Sequence, residues 1–136
     1  MRTFFLAAAL LAAAGAPAVA QTSLDQKAPG IARGIGAQNS SGQNGEFAIY
    51  RGSNTVVVTM QGTGSRPESV TIERGFACRA TAGAAVASLG SLRNGRLQAA
   101  APMALGHLLS GNYNVVVHNN TPGSRSVACG HIYLPG

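Results

Sequence analysis

From Ile31 to Leu134 the chain breaks into short β-branched or alternating runs punctuated by turn residues. Phe47 and Ile49 alternate with Glu46 and Ala48. Thr55 to Met60 is β-branched except at its last position. Val70 and Ile72 alternate with Thr71 and Glu73. Tyr113 to His118 and Val127 to Leu134 are the strongest strand signals, and Arg96 to Ala101 is a weaker one. Ser40-Ser41-Gly42, Gly52-Ser53-Asn54, Gly62 to Pro67, Asn94-Gly95 and Pro122-Gly123 separate them with positive-φ or proline chemistry. About seven short strands at this spacing predict an all-β, antiparallel sandwich or barrel. Period-two alternation places Val56, Val58, Ile72, Val115 and Val117 inward. Ile31 to Ala37 reads as a Gly-rich edge strand, and Met103 to Leu109 as one or two helical turns. Thr81 to Leu92, rich in Ala, Gly and Ser, reads as an irregular crossover with room for a short strand. A helix there would be interrupted by Gly83 and Gly90.

The N-terminus reads differently. Met1-Arg2 is a short basic start, Phe4 to Ala14 carries no charge, and Ala18-Val19-Ala20 is a small-x-small cleavage site. This is the layout of a secretory signal peptide over residues 1–20, with a run too short to span a membrane. Residues 21–30 read as a flexible polar leader and 31–136 as a single β domain with one core. The expected location is periplasmic or secreted, with no membrane span. Export places the two cysteines, Cys78 and Cys129, where disulfides persist. They allow one pairing, closing a loop of about 50 residues worth about 4 kcal/mol in the chain-entropy model. Two buried free thiols are the alternative. Their spacing lacks the paired ligands of a zinc motif.

Beyond residue 20 the chain holds nine basic residues against four acidic ones, a net of +5. Such a surface attracts anions, so anionic envelope components are candidate partners alongside another protein. The arginines are scattered, no basic run forms, and aromatics for base stacking are few, which argues against a nucleic-acid site. The four carboxylates, one of them Asp25 in the leader, support no paired-carboxylate or Ser-His-Asp chemistry, and no phosphate loop is present.

Three segments resemble one superfamily. GNYNVVVHNN from Gly111 and GSRSVACGHI from Gly123 resemble the copper/zinc superoxide dismutases, in which a Val-His strand, a loop and an Ala-Cys-Gly strand follow one another. PESVTIERGFAC, from Pro67 to Cys78, resembles the same superfamily's His-x-His-Glu-Gly segment and its following cysteine. The likeness to CHRD-type extracellular domains is closer still, with Leu108 to Gly111 matching a Leu-Leu-Ser-Gly turn. The resemblance covers roughly Gly45 to Ile132. It implies an antiparallel Greek-key β-sandwich, immunoglobulin-like in architecture, whose disulfide joins a loop to the last strand.

The departures from that pattern bear on function. Thr71 and Glu73 stand where the dismutases carry two copper-ligating histidines, and copper favours imidazole over hydroxyl or carboxylate. His118 matches a remaining ligand position and is the candidate metal residue. Arg125 lies one residue out of register from the family's anion-guiding arginine and is a candidate anion contact. Glu73 beside Arg74 reads as a solvated pair. His107 and His131 complete the histidine set, and convergence with His118 would allow copper or zinc at an improvised site. The expectation is an exported, non-catalytic dismutase-like protein without a cofactor, acting as a binding or structural envelope component. The alternative is a copper-dependent dismutase or copper-binding protein using His118.

Overall fold

A computed structural model describes residues 28–63, 67–78, 85–120 and 126–134. The signal-peptide segment, most of the leader and Arg125 lie outside the described residues. Eight antiparallel strands form one sheet: β1 (Ile31–Ala37), β2 (Asn44–Ile49), β3 (Thr55–Gln61), β4 (Glu68–Arg74), β5 (Ala85–Ser91), β6 (Arg96–Ala100), β7 (Tyr113–Asn119) and β8 (Ser126–Ile132). Their order across the sheet is β5-β4-β7-β8-β1-β2-β3-β6. The edge strands β5 and β6 are sequence neighbours, so the sheet curls until its edges nearly meet. Between them Asn94 (φ 51°) and Gly95 (φ 74°) make a two-residue turn, flanked by reciprocal Arg93–Arg96 backbone hydrogen bonds of 2.9 and 3.0 Å. Left-handed conformations at both central positions are what such a hairpin requires, and Asn-Gly adopts them readily.

The inward residues follow the alternation. Val56, Val58, Ile72, Val115 and Val117 are all 0 % exposed, joined in the core by Phe47, Ile49, Leu108 and Ile132. Each such burial contributes about 1.5–3 kcal/mol. One short helix, α1 (Leu105–Ser110), crosses between β6 and β7 and drops Leu105 and Leu108 into the core.

One local expectation is corrected and another is sharpened. Ile31–Ala37 is not an edge strand but an interior one. Ile31 to Ile35 pair with β2, whereas Gly36 and Ala37 pair with β8. Ile31 and Ile35 are both core residues, which an interior position explains. The close approach of β8 depends on Gly130, where a Cβ would stand 2.7 Å from the carbonyl oxygen of Gly34 and 2.8 Å from the Phe47 ring. The Ala-rich stretch is also more regular than its composition suggests. Ala85–Ser91 is a full strand, irregular in register at two points of its pairing with β4, with Gly90 at φ 121°. Pairing to β4 imposes extended backbone on residues of low strand propensity.

Candidate functional site

The outer face of β4, β7 and β8 carries the residues singled out from the sequence. On β4, Val70 and Ile72 are buried inward, so Thr71 and Glu73 point outward. On β7 the same parity turns Asn114, Val116 and His118 outward, and on β8 Cys129 and His131. Ser69 stands opposite His118, Thr71 opposite Val116, and Glu73 opposite Asn114.

A turn, Phe76–Cys78, folds over this face. Cys78 is bonded to Cys129, with the Cα atoms 5.9 Å apart. Ala77 (φ 49°, ψ 49°) and Cys78 (φ 62°) are both left-handed, which costs about 1–2 kcal/mol per non-glycine residue. The disulfide and Asn114 hold the turn against that cost. The Asn114 side chain accepts a hydrogen bond from the Cys78 backbone N–H (3.1 Å) and donates one to the Gly75 carbonyl (2.8 Å). Gln38 Nε2 donates to the Cys78 carbonyl at 3.4 Å, and its Oε1 accepts from the Ser126 hydroxyl.

Between turn and sheet lies a cleft of about 340 Å³, walled by Glu73, Asn114, Val116, His118 and both cysteines. His118 Nε2 lies 2.6 Å from Glu73 Oε2, and the Thr71 hydroxyl donates to the same oxygen at 2.9 Å. Thr71, Glu73 and His118 therefore form one relay of hydroxyl, carboxylate and imidazole. The side chains of His118 and Glu73 are 29 % and 18 % exposed, so solvent and small ligands reach them. The reading of Glu73 as half of a solvated pair with Arg74 is corrected: the Arg74 guanidinium donates to the Tyr113 hydroxyl at 3.3 Å, because adjacent strand residues face opposite ways.

The three histidines do not converge. His107, on α1, contacts the Tyr113 hydroxyl at 3.1 Å. His131 sits between the rings of Phe76 (5.8 Å) and Tyr133 (5.1 Å). Among the described residues no group of three or more His, Cys, Asp or Glu is placed to hold a metal ion.

Asn114 is the site residue that sequence reasoning missed. Its one signal was a lone amide inside the apolar run of β7. At 3 % exposure such a group must be bonded within the fold, here to the turn that walls the cleft. A scan against protein-family models and searches of curated proteins and solved structures find no match to this chain.

Proposed function

We propose that this chain is an exported β scaffold, related in design to the copper/zinc superoxide dismutases and CHRD-type domains, that works by binding as a component of the cell envelope and not by redox catalysis. The observation that carries the reading is the bond between Glu73 and His118. In the superfamily pattern the position of Glu73 belongs to a second imidazole; here a carboxylate holds the Nε2 of the imidazole that remains. One imidazole, one carboxylate and one hydroxyl are a poor donor set for copper in a redox cycle, which calls for several imidazoles at fixed positions. The residues therefore do not fit that metal.

The same arrangement suits a ligand cleft. The relay fixes the orientation of His118, and the Thr71 hydroxyl orients Glu73. Val116 and the disulfide supply an apolar wall beside them. A cleft of this size with a few oriented polar groups belongs to the range of small-molecule sites. The ligand sits against a carboxylate–imidazole pair that offers both an acceptor and a donor.

Metal analysis of protein recovered after export tests the reading, together with a dismutase assay. Metal-free protein without activity supports it. One copper per chain, with activity abolished by His118→Ala, overturns it in favour of the copper enzyme.

A further inference from the structure

Two of the four exposed large hydrophobic side chains among the described residues lie together, Phe76 (64 % exposed) and Tyr133 (46 %), and a third, Leu134 (55 %), follows Tyr133 in the chain. Phe76 and Tyr133 are joined through His131 into one column. Phe76 meets His131 edge-on, His131 stacks on Tyr133, and the Arg33 guanidinium lies 5.0 Å from the centre of the Tyr133 ring. Arg33 also donates from Nε to the Tyr133 carbonyl at 3.3 Å, which fixes its charge at the end of the column.

Among the described residues no carboxylate forms an ion pair with Arg33. Of the described carboxylates, Glu68 is buried, Glu73 is bonded to His118, and Glu46 lies on β2. The whole chain carries ten Lys and Arg against four Asp and Glu. Self-association through this surface would bring two cationic molecules together. An anionic partner would not.

We infer that the Phe76–His131–Tyr133 surface, with Arg33 at its end, docks the protein on an anionic lipid surface. Aromatic rings with polar edges settle at the boundary between lipid headgroups and chains. Cationic side chains beside them gain from the negative surface potential, and the two contributions add. Exposed Phe and Tyr rings beside a guanidinium meet both requirements, whereas a soluble polyanion would use the charge and leave the rings unburied. The inference deepens the envelope reading above by naming a surface and its partner. It does not depend on the relay of Thr71, Glu73 and His118, although Phe76 opens the turn that walls the cleft.

The test is co-sedimentation of the processed, exported protein with phosphatidylcholine vesicles, with and without phosphatidylglycerol. Binding is expected on the anionic vesicles only and weakens as salt rises. The double variant Phe76→Ser, Tyr133→Ser, which keeps the net charge, is expected to lose about tenfold in partitioning. Arg33→Gln is expected to lose about fivefold, and Arg96→Gln, an equal charge change on β6, less than about twofold. All four rings and charges are at the surface, and thermal unfolding confirms that the variants fold. Absence of vesicle binding by the wild type overturns the inference. So does an unchanged double variant, or equal losses in Arg33→Gln and Arg96→Gln. Retention on a soluble polyanion or an acidic protein without vesicle binding assigns the surface to that partner and equally overturns it. None of these outcomes bears on metal content, the measurement that tests the reading above.

Discussion

His118 Nε2 and Glu73 Oε2 meet at 2.6 Å although the two residues stand on different rungs of the β4–β7 ladder. The two side chains meet diagonally across the outer face, and the Thr71 hydroxyl steadies the carboxylate there. Because both side chains are partly exposed, water screens the interaction. Glu73→Ala and His118→Ala should each destabilise the fold by about 1 kcal/mol or less, with a coupling of about 0.5 kcal/mol in a double-mutant cycle. Urea unfolding of the four proteins measures this. A coupling of zero would mean that the relay is not formed in solution.

Asn114 should matter more to stability than either. Asn114→Ala leaves the Cys78 N–H and the Gly75 carbonyl without their partners at a nearly closed site, a loss of about 1–3 kcal/mol. The effect should be local as well as global. Amide exchange at Cys78 is expected to accelerate in the variant, while amides in β2 and β3 keep their rank order. Uniform acceleration across the sheet would argue against the turn-pinning role.

The disulfide is expected to be the largest single contribution. Replacing Cys78 and Cys129 by serine should cost a few kcal/mol, near the 4 kcal/mol that the chain-entropy model gives for this loop. Such a loss is a large share of what a domain of this size has available. Denaturant midpoints of oxidised and double-serine protein provide the comparison. Alkylation that finds two free thiols in native material would contradict the bond outright.

Gly130→Ala tests the packing of β8 on β1. The added methyl would sit 2.7 Å from a backbone oxygen that cannot swing aside, so the strands must separate. A cost of about 1–3 kcal/mol is expected from overpacking. An unchanged unfolding midpoint would show that the two strands are more loosely joined than their register implies.

Much of this architecture was legible in the sequence because its signals are local. Val70 and Ile72 alternate with Thr71 and Glu73, Phe47 and Ile49 alternate with Glu46 and Ala48, and Asn94-Gly95 names its own turn. What was not legible depends on partners distant in the chain. Ile31–Ala37 looks like an edge because of its glycines. Only the arrival of β8, about ninety residues later, makes it interior. Ala85–Ser91 carries almost no strand signal of its own and takes its form from β4. At the cleft, parity put Thr71 and Glu73 on one face correctly. The choice of His118 over Arg74 as the partner of Glu73 rests on side-chain reach across strands, which spacing alone does not encode. Asn114 was invisible for the same reason, since its partners lie in a turn 36 and 39 residues upstream.

The strand β1 changes partner midway, taking β2 along its first part and β8 along its last two residues. The first strand therefore waits for the last. Pairing Gly36 with Cys129 closes a very long loop, and contacts of that separation form slowly. Until β8 arrives, β1 and β7 each present an open row of backbone donors and acceptors to any neighbouring chain. A molecule cut short before Ser126 would keep most of its apolar strands and yet have no way to finish its sheet except with a strand borrowed from elsewhere. Truncation at this end is thus expected to yield sticky, strand-exchanging material, not a smaller folded domain.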